Sequence, residues 1–161
     1  MKEIDINERV ERAAAFFRQG YNCSQSVVLA YADLYDLEPQ MAAAISSSLG
    51  AGMGRLREVC GAVSGMFVLA GLQYPAIEPT NRAAKTANYA VVQSLAQQFR
   101  QEHGSIVCRE LLGLNRAQSE AQSAEPEART EKYYATRPCV DCVQSAARIF
   151  GQQIVYSLSL S

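Results

Sequence analysis

The chain has 161 residues, 48% of them hydrophobic and 19% charged, with 15 basic and 16 acidic side chains giving a net charge of −1. That length suits one domain that folds without disulfide staples, and the composition is globular rather than disordered. No Lys/Arg-rich run marks a nucleic-acid footprint, no apolar run reaches the ~18 residues that span a bilayer, and Met1-Lys2-Glu3-Ile4-Asp5 is too polar for a signal peptide, so we expect a soluble, cytoplasmic protein that binds neither nucleic acid nor membrane.

Helical signals dominate in chain order. Asp5-Ile6-Asn7-Glu8 has the form of a capping box, and Ile6, Val10, Ala13, Ala14 and Phe17 recur at helical spacing up to Gly20. Asn22 reads as the N-cap of a second helix, with Gln25 at its N3 position and Val27, Val28, Ala30, Tyr31 and Leu34 as its apolar face. A third helix runs from about Pro39 to Leu49. The alternating glycines of Gly50-Ala51-Gly52-Met53-Gly54-Arg55 then predict a bend.

A fourth helix, about 58–72, is apolar almost all round and therefore expected to be central, with Gly61 and Gly65 one turn apart to admit a neighbour's backbone. Pro79-Thr80 opens a long fifth helix to about Glu102, closed by Gly104. Ser105 is expected to cap a short sixth helix from Ile106 to Leu112. Residues 113–135 read as a polar loop with at most a turn or two of helix, in which Glu125 and Glu127 are solvated. Thr136 and Pro138 start a final helix, and 154–161 reads as its frayed end. The expected fold is all-α: one domain, 1–161, of six or seven helices around the buried 58–72 segment.

Five cysteines, Cys23, Cys60, Cys108, Cys139 and Cys142, are an odd number, which argues against a purely structural disulfide set. Their placement is informative. Cys23 follows the cap Asn22, Cys108 and Cys139 lie three residues after Ser105 and Thr136, and Cys60 falls in the first turn of the buried helix. A helix N-terminus carries unpaired N–H groups and about +0.5 of a charge, which favours thiolate over thiol. Four cysteines sharing that address predict one reactive or liganding cluster, set against the plainer reading of cysteine as a small buried hydrophobe. Cys139-Val140-Asp141-Cys142 is the local C-x-x-C, a candidate dithiol or half of a zinc site.

Asn22-Cys23-Ser24-Gln25-Ser26-Val27, Gly50-Ala51-Gly52-Met53-Gly54-Arg55, Cys60-Gly61-Ala62-Val63-Ser64-Gly65, the stretch from Gly104 through Cys108 to Gly113, and a closing Cys139 occur in that order. Together they resemble the family of redox-active proteins named for its spaced cysteine pattern, C–GCAxxG–C–C, from about residue 10 to residue 150. The resemblance implies an all-helical fold and redox chemistry. The split-Soret cytochromes are similar in this region, where an iron–sulfur cluster accompanies a haem-binding part; this chain has no haem motif. Carried over, the resemblance makes Cys23, Cys60, Cys108 and Cys139 the candidate ligands, with Cys142 a fifth cysteine that competes with Cys139 for the fourth place.

The first functional expectation is accordingly an electron-transfer or redox-sensing protein holding an iron–sulfur cluster or another metal such as zinc, and serving a redox partner protein. Arg55, Gly54 and Gly61 are assigned to the cofactor's surroundings, with Arg55 and Arg57 offering positive charge near Cys60. The second is a metal-free thiol–disulfide exchange enzyme using Cys139 with Cys142, or Cys23 with Cys60. The third is a helical interaction domain with inert thiols. The glycine segment lacks the Gly-Lys-Ser/Thr ending of a phosphate loop. His103, the lone histidine, belongs to a helix end. Tyr133-Tyr134 are read as packing residues that could instead cover a site. The apolar 58–72 helix is compatible with a homodimer.

Overall fold

Asp5 accepts the Glu8 N–H at 3.1 Å and starts α1, Ile6–Arg18. Its reciprocal half is not formed, because the Glu8 carboxylate pairs with Arg12 instead. Asn22 makes a full capping box with Gln25 and starts α2, Cys23–Tyr31. The remaining helices are α3, Pro39–Ser46; α4, Gly61–Gln73; α5, Arg82–His103; α6, Cys108–Leu111; α7, Arg116–Glu120; α8, Glu131–Thr136; and α9, Cys139–Ser159. The computed structural model describes residues 3–160. Met1 and Lys2, from the polar N-terminus, and Ser161, the end of the tail, lie outside the described residues.

The fold is all-α, and α2 and α4 together form its centre: α2 packs on α1, α4 and α9, and α4 on α2, α5 and α9. Small residues let the two central helices meet. A Cβ at Gly65 would stand 3.0 Å from the Ser24 carbonyl, and one at Gly61 would stand 3.2 Å from Cys23 Cβ. Around them Phe17, Tyr31, Met66, Leu69, Phe99 and Phe150 are fully buried. Tyr31 stacks edge-on against Phe150 and donates its hydroxyl to the Ala147 carbonyl at 2.6 Å, so its one polar atom is satisfied. Arg9 is the unexpected occupant of the apolar face of α1; its burial is compensated by hydrogen bonds from its guanidinium to Asp33 and the Ala30 carbonyl.

Several boundaries differ from the sequence reading, each for a local reason. Helix α5 starts at Arg82 because Asn81, not Thr80, caps it through the Ala84 N–H. Glu58–Cys60 is extended rather than helical: Val59 bridges Val107, and Cys60 donates its N–H to the Ile106 carbonyl at 2.8 Å. That bridge also shortens α6 to one turn, with Ser105 accepting the Val107 N–H ahead of it. Thr136 ends α8, so Pro138 is the N-cap of α9. The tail is not frayed at 154, since Ile154 is buried and the helix continues to Ser159. Among the described residues no helix is long and apolar enough to cross a membrane.

Candidate functional site

The glycine segment is a single left-handed turn. Ala51, Gly52, Met53, Gly54 and Arg55 all have positive φ, from 56° to 70°, and the Gly54 N–H closes on the Gly50 carbonyl at 2.9 Å. For the three non-glycine residues such a conformation costs roughly 1–2 kcal/mol each. The turn brings Gly52 against both Cys108 and Arg57: a Cβ at 52 would lie 2.5 Å from Cys108 Cβ and 2.8 Å from Arg57 Cα. The absent side chain is what lets those two residues stand side by side.

Four cysteines occupy helix starts. Cys23, Cys108 and Cys139 are the first residues of α2, α6 and α9, and Cys60 is the N-cap of α4. Cys142 follows one turn into α9, its N–H on the Pro138 carbonyl. All five line one cavity of about 270 Å³, together with Gly54, Arg55, Gly61, Arg57, Arg129 and Arg137. Every residue assigned to the site from sequence therefore faces this one space. His103 does not: it stacks on Phe99 and shares a 2.9 Å hydrogen bond with Ser145.

Within the cavity the sulfurs influence one another in two pairs. Cys23 and Cys139 are within hydrogen-bonding reach, as are Cys60 and Cys142. These differ from the pairs expected of an exchange enzyme, because α2 and α4 each present a cysteine to a different turn of α9. In each pair one sulfur is the stronger acid. Cys139 is lowered to about 6 by the Cys23 hydrogen bond, then by the Tyr133 hydroxyl and the charges of Arg137 and Arg129, against an opposing burial effect. Cys60 is lowered by the Cys142 hydrogen bond and by the N–H groups of Val63 and Ala62. Their donors Cys23 and Cys142 are raised by the same hydrogen bonds and by burial. Cys108 stands apart, raised by burial against the pull of Arg57, whose Nη1 lies 3.6 Å from its sulfur.

The polar tract gives the site residues that sequence reading missed. Glu127 is exposed, as expected, but it also lines the cavity, 3.7 Å from Arg57 and paired with Arg137. Arg129 stacks on Phe17 at 4.1 Å and donates to the carbonyls of Phe17 and Tyr21. Gln122 accepts from both Arg55 and Arg57. Tyr133 lines the cavity with its hydroxyl 4.0 Å from the Cys139 sulfur, whereas Tyr134 packs edge-on against Phe17. The cavity thus has four guanidiniums and one carboxylate on its wall. Among the described residues no three His, Cys, Asp or Glu side chains are drawn together around the position of a single ion.

Comparison with known proteins adds one match. The family described as "Putative redox-active protein (C_GCAxxG_C_C)" matches residues 21–153, a span containing all five cysteines. No curated protein and no solved structure matches the chain.

Proposed function

Since the chain belongs to this redox-active family, we propose that its cysteines hold an iron–sulfur cluster and that it acts in electron transfer or redox sensing with a partner protein. The observation that carries this reading is the convergence of five thiols, from α2, α4, α6 and α9, on one cavity whose wall has an excess of positive charge. Soft thiolates are the donor set of iron–sulfur clusters and of zinc. A zinc ion needs its sulfurs at ~2.3 Å, and the sulfur spacing here offers no such single-ion set. A cluster spreads its ligands around a larger body, which suits the cavity. Cys23, Cys60, Cys108 and Cys139 would hold it, with Cys142 as the alternative to Cys139. When bound, it would supply a one-electron couple.

The chain's own residues define how such a centre would behave. Arg57 is 4% exposed, and its guanidinium faces the Cys108 sulfur. Together with Arg55, Arg129 and Arg137 it favours negative charge in the cavity, which raises the potential of any centre that gains an electron there. The N–H groups of Ala62 and Val63 support the Cys60 thiolate in the same sense. Burial of four of the five sulfurs limits how much of them water and large oxidants can reach.

The sulfur pairs favour a second reading, thiol–disulfide exchange. The Cys139 thiolate would attack a partner disulfide and expel one partner thiolate. Cys23 would then displace the second, closing a Cys23–Cys139 disulfide and giving its proton to the leaving sulfur. Anaerobic purification with iron, acid-labile sulfide and visible-absorption analysis of wild type and Cys60→Ser separates the readings. Iron and sulfide in similar amounts, with broad visible absorption lost in Cys60→Ser, is the expected result. A colourless, metal-free protein with a thiol alkylated rapidly at pH 6 would give the site to exchange, and uniformly slow thiols would end both readings.

A further inference from the structure

Residues 121–130 cross the mouth of the cysteine cavity with no regular structure, and Ala124, Pro126, Glu127 and Arg129 of this segment line it. Side chains secure its two ends. At the near end Gln122 Oε1 accepts Arg55 Nη2 at 3.0 Å, Arg57 Nε at 3.0 Å and Arg57 Nη2 at 2.9 Å, while Arg55 Nε donates to the Ser123 carbonyl at 2.7 Å. Gln122 Nε2 is itself tied to the Gln118 carbonyl at 2.8 Å, which aims the amide oxygen at the two guanidiniums. At the far end Arg129 grips the last turn of α1 through the Phe17 carbonyl at 2.8 Å and the link to α2 through the Tyr21 carbonyl at 3.0 Å. A segment held by a few side-chain contacts, at its two ends and through Glu127 to Arg57 and Arg137, opens more readily than the packed helices beneath it. In the closed form Cys23, Cys60, Cys108 and Cys142 are between 2% and 9% exposed.

We propose that residues 121–130 are a strap that screens the cysteine cavity by size, with Gln122 as its latch: closed, it admits small reactants to the sulfurs and excludes protein-sized ones. The proposal rests on the geometry of the mouth and holds whichever redox chemistry the sulfurs perform. The choice of a neutral amide fits this role. A carboxylate at 122 would bind Arg55 and Arg57 more strongly and cancel their charge toward the sulfurs, whereas an apolar residue would leave the buried Arg57 Nε without its acceptor. The amide holds the strap while leaving both cations to act on the cavity.

The test uses the full chain, reduced and chelator-treated, with cysteine-resolved labelling by mass spectrometry. Iodoacetamide is compared with a maleimide carrying a polyethylene-glycol chain, each rate scaled to its reaction with a small free thiol. In wild type the bulky reagent is expected to lag far behind iodoacetamide at Cys23, Cys60, Cys108 and Cys142. Gln122→Ala is expected to raise the bulky-reagent rate roughly tenfold, the change in open population that follows from losing charge-assisted hydrogen bonds, with little change for iodoacetamide. Gln122→Glu is expected to move the bulky-reagent rate the other way.

Hydrogen–deuterium exchange of the protein as isolated supplies the folding control: amides of 121–130 should exchange faster in Gln122→Ala while α2 and α4 keep their protection. Equal scaled rates for both reagents in wild type, or bulky-reagent rates that do not move in opposite directions in the two variants, would overturn the proposal. So would a loss of protection spread equally over α2 and α4, which would make Gln122 a general structural prop. Because the labelling is done without metal, its failure leaves the cluster reading standing, and an absence of iron leaves the strap standing.

Discussion

The two ends of the bundle are built on different terms. Where α1, α2 and α9 meet, regular helices bury Tyr31 and Phe150, and the buried cation Arg9 is closed off by Asp33 and a carbonyl. Where the cysteines meet, the backbone is left-handed at 51–55, the helix α6 is a single turn, and four guanidiniums face one carboxylate. The first region minimises local conflict; the second holds strained dihedrals and unbalanced charge. Strain of this kind persists only where the surroundings over-determine it, and the packed helices provide that surrounding. The contrast teaches that the helical core acts as scaffold and the irregular end as site.

The largest expected effect lies in the scaffold. Phe150→Ala should cost about 3–5 kcal/mol through lost burial and the cavity left behind. Thermal denaturation should show the melting temperature falling by roughly 10 °C. Below that temperature the acidity of Cys139 should be unchanged. A smaller effect of opposite character is expected at the site from Gly52→Ala, whose Cβ has no room beside Cys108. Overpacking should cost about 1–3 kcal/mol and displace Arg57 from the Cys108 sulfur. Thiol labelling should therefore change at Cys108 well below the melting transition. If Phe150→Ala alters Cys139 reactivity as much as it alters stability, the division into scaffold and site is wrong.

A sharper form of the comparison applies one substitution to both regions. Ala14→Gly, in the buried face of α1, should destabilise by about 1–2 kcal/mol through helix propensity and a lost buried methyl. Ala51→Gly relieves a φ of 56° and should be neutral or stabilising by up to about 1 kcal/mol. Chemical denaturation midpoints moving in the same direction would deny the strain assigned to the turn.

The smallest effect is in pH dependence. In reduced, metal-free protein the iodoacetamide rate of Cys139 should rise with pH and level off above about 6, because the thiolate is the nucleophile and Cys23, Tyr133 and Arg137 favour it there. Tyr133→Phe should move that midpoint upward. A rate still climbing at pH 8 in wild type would contradict the stabilisation of the Cys139 thiolate by Cys23, Tyr133 and the two arginines.

Much of this was legible in the sequence, and the rest was hidden for physical reasons. Helical periodicity and the cap at Asn22 specify α1 and α2, and the apolar 58–72 segment marks a central helix, because burial imposes a repeat that local sequence must carry. Four cysteines beside helix starts were legible for the same reason, since start signals are local. The sulfur pairing was not, because it depends on how α2 and α4 meet successive turns of α9, and no local signal encodes that register. Gln122, Glu127 and Arg129 sit in a tract whose composition reads as solvated, and only the fold returns it over the cavity. Three alternate glycines announced a bend, but nothing marks Ala51, Met53 or Arg55 as left-handed. Arg9 escaped notice because its partner Asp33 lies on another element.

Disulfide mapping tests most directly whether the cysteine-bearing helices meet as described. Reduced, metal-free protein at low concentration would be treated briefly with diamide, quenched, digested and read by mass spectrometry. The arrangement requires intramolecular Cys23–Cys139 and Cys60–Cys142 links as the first products, joining residues far apart in the chain. A Cys139–Cys142 link alone, links only between molecules, or thiols that stay free under oxidation would contradict it.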